Sequence, residues 1–439
     1  MSESKDLLNG FSAITDKVWR EKIIADLKGK DFEETLQWKD ENELLHQPYY
    51  RSSNIENNTI VKQIQAAQKE NLSWKSIQTF PSKEKNLKKK IEAALNGGID
   101  EVVIDNVSDA KSMKEQLGEA LKDSASIHLH LTKLAQNSLP KTYFFDPIGE
   151  MLRNNERDED NLDSLRHVFQ KRLNQLKPDN FLLVDGSLYR NAGATIVQEL
   201  AFTLHHAVEY FDILTESGYT PDAISRSFTF KLGYGTSYFS EIAKSRAFRF
   251  LIKKVYESYK ISSSEIRVWG EASPYYLTHK DPYTNLLRLS SQCMSAILGN
   301  CDLISLPSYD HWGGSSTLGY RMSKNIPLIL KNESYFNQVK DLTAGSYYIE
   351  SISADIAEKA WELFLQTEKQ GSLLDQLENQ TLSKLIEKSK EVRKSSYQNE
   401  KRTMIGVNKF INPEATDLDV DSKKNKGLSN SILSKEITS

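Results

Sequence analysis

Sulfur is scarce, long apolar runs are missing, and neither sign of charge dominates. Cys293 and Cys301 are the only cysteines in 439 residues. Two are too few for a disulfide framework, and a reducing cytoplasm is the compartment that fits. No window holds the roughly 20 apolar residues that a membrane helix needs, and "MSESKDLLNG" lacks the apolar core of a secretion signal. No membrane partner is therefore expected. The formal charge is −3 and the sequence pI about 6.3, so no global basic field draws nucleic acid. The run "KEKNLKKK" at 83–90 mixes lysine with glutamate at helical spacing and reads as a solvated helix face.

Familiar catalytic signatures are missing as well. "GYG" at 233–235 lacks the third glycine of a dinucleotide fingerprint, and no phosphate-loop lysine motif, HExxH, CxxC or GxSxG occurs. His128 and His130 stand two apart in "SIHLHL" and share one face of a strand. No acidic or cysteine partner stands out beside them, so no metal site is expected. His205 and His206 are adjacent on a helix, cannot share a face, and read as ordinary helix residues.

What the chain does contain is alternation of strand-like and helix-like segments. "SWKSIQTF", "DEVVIDN", "SIHLHL", "FLLVD", "RSFTFKLG", "EIRVWG", "DLISL" and "IPLIL" read as strands. Stretches such as "NLKKKIEAALNGG" and "TIVQELAFTLHHAVEYFDILTESG" follow the helix period. Eight such runs, each followed by helix, predict an α/β chain folded as a (β/α)8 TIM-type barrel. Ahead of it, Phe11, Ile14, Val18, Ile23, Ile24 and Leu27 place an amphipathic helix on an N-terminal arm. The expected division is a partner-wrapping arm at 1–45, a barrel at 46–410, and a polar, mobile tail at 411–439.

Within "IRVWGEASPYYLTHKDPYTNLLRLSSQC", a strand passes through an aromatic loop into a helix. In a barrel of this kind such a loop lies on the face where active sites are built. Trp269, Ser273, Tyr275 and Tyr283 fall in this stretch.

Taken in order, the longer motifs resemble adenosylcobalamin-dependent methylmalonyl-CoA mutases, most of all their small subunits. "QWKDENELLHQPYY" is similar to the family's Trp…Pro-x-Tyr entry, and "SWKSIQTF" to Trp-Thr-Ile-Arg-Gln-Tyr. "GSLYRNAGATIVQELAFTL" resembles Gly-Tyr-His-Met-Gln-Glu-Ala-Gly-Ala with its following helix. "SYFSEIAKSRAFRFL", "WGEASPYYLTHKDPYTN" and "KDLTAGSYYIESISADIAEKAW" match later family segments. The resemblance implies radical rearrangement of a CoA thioester in a sealed, polar cavity.

It also implies that most of that cavity's chemistry is gone. The tyrosine that would wedge against the corrin falls on Thr79, and the nearby arginine on Ile77. The histidine that would bond the thioester carbonyl falls on Leu188, which has no hydrogen to donate. Trp269, Glu271 and Tyr275 replace a histidine, a glutamine and a tryptophan, and His311 replaces a glutamate that would contact the adenosyl group. Trp74, Gln78, Gly193, Ala194, Arg246, Asp281, Pro282, Tyr283, Asn285 and Arg288 fall on matching positions. Of these, Arg246 corresponds to an arginine near the CoA chain, yet is expected here to form a structural salt bridge.

The implied vestigial pocket is thus Thr79, Leu188, Arg246, Trp269, Glu271, Tyr275 and His311, with no catalytic, cofactor or metal residue among them. None of the histidines has the aspartate two residues earlier that marks the cobalamin-ligand motif Asp-x-His-x-x-Gly. The stretch after Phe410 is too short for a cobalamin domain. Adenosylcobalamin is therefore expected in a partner, the large subunit of a heterodimer. His128, His130 and Trp269, if inward, would refill the barrel with bulk. Two other readings stand beside this non-catalytic subunit: a mutase-active barrel borrowing a cobalamin domain in trans, and a free-standing acyl-CoA-binding module.

Overall fold

The computed structural model describes residues 14–438 except 72, 119–125, 134–141, 161, 167–180, 262–264, 416, 421–426 and 429. The chain opens with a helix, Asp16–Asp26, and a short antiparallel hairpin of β1 (Trp38–Lys39) and β2 (Leu45–His46). Eight parallel strands then close a barrel: β3 (Lys75–Pro81), β4 (Glu101–Val107), β5 (Ile127–Leu131), β6 (Tyr143–Phe145), β7 (Leu182–Asp185), β8 (Phe228–Tyr234), β9 (Val268–Ala272) and β10 (Leu303–Ser305). β10 pairs with β3 in parallel register, Leu303 opposite Lys75, which completes the ring.

The barrel fold is as expected, but two elements differ. "IPLIL" lies inside the helix Thr317–Asn332, which buries Gly319, Ser323, Pro327 and Leu330 at a helical spacing. A short apolar run does not by itself distinguish strand from buried helix. The eighth strand is instead "YFF" at Tyr143–Phe145, three residues that are all buried but too few to display alternation.

Two long helices between strands, Ile196–Glu216 and Tyr238–Ser258, are buried almost all round. A helix buried on every side needs cover on both faces. The outer helix Tyr347–Glu368 supplies it, sharing one continuous core with them through Ile352, Ile356 and Phe364. The helix Ile196–Glu216 starts at a capping box: Thr195 accepts from the Gln198 amide while the Gln198 side chain accepts from the Thr195 amide.

The N-terminal helix Asp16–Asp26 buries no residue. Trp19 nonetheless reaches Phe32 and Tyr49, with ring centroids 6.2 and 5.4 Å away. Phe11 and the rest of 1–13 lie outside the described residues.

Of the tail expected to be mobile, 416, 421–426, 429 and 439 lie outside the described residues, and its last described stretch is ordered structure instead. Leu433–Thr438 is a helix, and Leu433 and Ile437 pack with Tyr275, Tyr276, Tyr397, Met404 and Val407. Large apolar residues are few in the tail, but these two are spaced four apart and share one helix face. No helix among the described residues is long and apolar enough to cross a membrane.

Candidate functional site at the barrel mouth

Side chains alternate along each strand, so residues two apart share a face. On that rule the interior resolves into layers. Ile77, Val103, Phe144, Leu183, Trp269 and Leu303, each from a different strand, form an apolar cluster separate from the main core. His128 stacks on Phe144 at 5.1 Å, and Phe144 meets Trp269 at 5.5 Å. The Trp269 indole donates to Ser305 Oγ at 2.7 Å, which satisfies its one polar atom. Together they plug the barrel at mid-height.

Two residues further along the same strands the chemistry turns polar. Thr79, Asp105, His130, Asp185, Lys231, Glu271 and Ser305 line a cleft of about 580 Å³ at the C-terminal strand ends. Their charges are paired. His130 Nδ1 lies 2.6 Å from Asp105, Lys231 Nζ 2.8 Å from Glu271, and Arg153 Nη2 2.5 Å from Asp185. Ser187 donates to Asp185 at 2.5 Å.

Burial alone would raise the Asp105 carboxyl; the hydrogen bond and charge of His130, with Lys231 and Arg153, outweigh it and hold the group well below its usual range. For His130, burial favours the neutral ring, yet the Asp105 bond wins and the imidazole is raised. Glu271 is pushed up by burial and by Asp185, against Lys231. Across the cleft lining, Glu84, Asp105, Glu150, Asp185 and Glu271 outnumber His130, Arg153 and Lys231, while burial pushes the His311 imidazole toward its neutral form. The mouth is therefore acidic on balance.

Four of the expected pocket residues, Thr79, Leu188, Glu271 and His311, do meet in this cleft. The other three do not. Trp269 belongs to the plug beneath it. Tyr275 packs in the tail cluster, its hydroxyl donating to Glu436 at 2.7 Å. Arg246 is fully buried on the helix Tyr238–Ser258, paired with Asp341 and with Glu350 at 2.9 Å. The expected salt bridge is there, but on the outer helices and away from the mouth.

Of the residues that the resemblance places on matching positions, Asn285, Arg288 and Gly193 hold backbone. Asn285 accepts from the Thr278 amide and donates to the Thr278 and Tyr309 carbonyls, tying the loop after β9 to its helix. Arg288 donates to the Ile405 carbonyl. Gly193 sits at φ 106, a conformation that strongly favours glycine, and its carbonyl accepts from Arg393. Tyr283 is 62% exposed and stacks on Tyr309.

Sequence reasoning did not single out Asp105, Arg153, Asp185 and Lys231. The available signal was a polar residue at the end of an otherwise apolar run, as in "VVIDN", "FLLVD" and "FTFKLG".

A family model described as methylmalonyl-CoA mutase matches residues 126–435, more than half of the chain. The chain belongs to the methylmalonyl-CoA mutase family. A relative from Porphyromonas gingivalis named methylmalonyl-CoA mutase small subunit is 28% identical over 93% of this chain and 72% of its own length. Methylmalonyl-CoA mutase of Rhizobium meliloti is 33% identical over 53% of this chain and 33% of its own length. The mitochondrial methylmalonyl-CoA mutase of Mus musculus is 28% identical over 64% and 37% respectively. The chain thus spans well under half the length of those two relatives.

Proposed function

We propose that the chain is a non-catalytic small subunit of a heterodimeric methylmalonyl-CoA mutase, stabilising a large subunit that interconverts methylmalonyl-CoA and succinyl-CoA. The observation that carries this reading is the plug of Phe144, Trp269 and their neighbours under an acidic mouth. An acyl-CoA is polyanionic, and a cleft with more carboxylates than cations repels it. Leu188, 5% exposed, offers no hydrogen to a thioester carbonyl where the family would have a histidine.

The described residues do not fit adenosylcobalamin. His46, His128, His130, His205, His206 and His279 each engage a side chain of this same chain, and His311, at the cleft, has Tyr309 where the cobalamin-ligand motif has an aspartate. Asn430 lines the cleft at the strand ends, and the helix Leu433–Thr438 packs beside it on Tyr275 and Tyr276. We accordingly assign adenosylcobalamin to the partner.

The arm at 1–45 is assigned to the partner contact. A helix of 11 residues is marginal alone in water, and Asp16–Asp26 exposes Val18 and Ile24, with Ile14 just ahead of it. The two free, buried cysteines suit a reducing cytoplasm.

The test is co-purification and thermal melting with the large subunit. A stable heterodimer at micromolar concentration, with a raised large-subunit melting temperature, supports the proposal. Two chains that stay apart at that concentration overturn it.

A further inference from the structure

Gly427 and Leu428 run against the barrel top, their amides donating to the Arg153 and Leu152 carbonyls at 3.1 and 2.9 Å. The approach is close: a β-carbon on Gly427 would lie 2.1 Å from the Leu152 carbonyl oxygen. Asn430 lines the cleft, and the Ser431 amide donates to the Asn191 carbonyl at 2.9 Å. Beyond it the helix Leu433–Thr438 is fixed on its apolar side by Tyr275 and Tyr276, and on its polar side by Glu436 and Ser434. These residues form a strap on the rim of the mouth.

From Glu436 a chain of polar contacts leads inward. Tyr275 Oη donates to Glu436 at 2.7 Å and accepts from Arg393 Nη1 at 3.0 Å. Arg393 Nε donates to Glu41 Oε2 at 2.8 Å. Glu41 lies between β1 and β2 on the arm hairpin and also accepts from Arg190 and Arg402, at 3.2 and 3.1 Å. Arg190 is fully buried and continues to Glu241 at 2.8 Å, which in turn meets Lys244. One carboxylate from the arm therefore answers three arginines from elements that also hold the strap.

We propose that residues 427–428 and 430–438 are a strap on the rim of the barrel mouth whose seating is coupled to that of the arm hairpin through the relay Glu436–Tyr275–Arg393–Glu41. Loss of the strap's anchor frees Arg393 to change its contact with Glu41; loss of the hairpin's anchor leaves Arg393 without its carboxylate. Coupling of this kind is reciprocal. It does not depend on what the arm binds, so it stands or falls separately from the partner assignment.

The experiment is hydrogen exchange on the full-length chain, read by amide at the two ends of the relay. The variants are Tyr275→Phe, which removes only the shared hydroxyl, and Glu436→Gln. The strap amides of Leu428 and Ser431 are expected to exchange about tenfold faster in either variant. Through the relay, the hairpin amides of Asn42 and Leu44, which donate to the Asp40 carboxylate in the wild type, are expected to speed up several-fold as well. Should the strap loosen while the hairpin keeps its wild-type rates, the coupling is disproved. Unchanged rates at Leu428 and Ser431 in both variants disprove the strap itself. A third variant, Leu433→Ala, loosens the strap by packing alone and is expected to move the hairpin rates in the same direction; failure to do so also overturns the proposal.

Discussion

Trp269 and Phe144 meet with ring centroids 5.5 Å apart although their strands, β9 and β6, are separated by two others in the barrel. That contact fills the space along the barrel axis, and the chemistry of the mouth is built on top of it. Lys231 Nζ lies 4.6 Å above the Trp269 ring while pairing with Glu271, so plug and charged layer support each other.

Trp269→Ala is expected to destabilise the chain by about 3–5 kcal/mol, through lost burial and the cavity left behind. Trp269 is 2% exposed, so little of that void can be relieved by solvent. Urea unfolding followed by circular dichroism measures it; a loss below about 1 kcal/mol is the size expected for a surface site and shows that the ring is not a packing element.

His130 gives a pH signature. Its folded pKa is raised by Asp105, so its contribution is fully present below the unfolded value of about 6.5 and is lost as pH rises through the folded value. Asp105 is depressed, so its share is present above about 4 and lost as pH falls. The pair therefore stabilises most between those limits. The stability gap between wild type and His130→Gln is expected to narrow from about pH 6 to pH 9. A gap that widens over that range contradicts the assignment.

Arg246→Ala leaves Glu350 buried without its cation and is expected to cost about 3–5 kcal/mol. Thermal or urea unfolding reads the loss. If Arg246 instead touched substrate, the assembled enzyme would show a raised KM with stability unchanged.

Leu188→His restores, by itself, the donor expected in the family. The isolated chain is expected to remain inactive, because the plug below is untouched. Turnover assays with methylmalonyl-CoA and added adenosylcobalamin check this; measurable product would show that one hydrogen bond was all that was missing.

The barrel was legible because its strands are apolar, bounded and regularly interleaved with helices. "YFF" was not, since three residues carry no period, and "IPLIL" misled because an apolar run fits either state. Alternation left either face open to His128, His130 and Trp269; the closed barrel puts Trp269 in the interior cluster, His128 against Phe144 and His130 at the mouth. Pairing was harder to read. Asp105 and His130 are 25 residues apart, and Glu41 and Arg393 are 352 apart, so only the closed fold brings them together. The tail looked mobile because its composition is polar, yet Leu433 and Ile437 seat a short helix on an aromatic cluster while Glu436 and Ser434 bond on its polar side.

The proposed role requires a barrel that does not admit methylmalonyl-CoA. Isothermal titration of the isolated full-length chain with methylmalonyl-CoA tests this directly. No detectable heat of binding at millimolar ligand is the expected result, and saturable binding in the micromolar range contradicts the account.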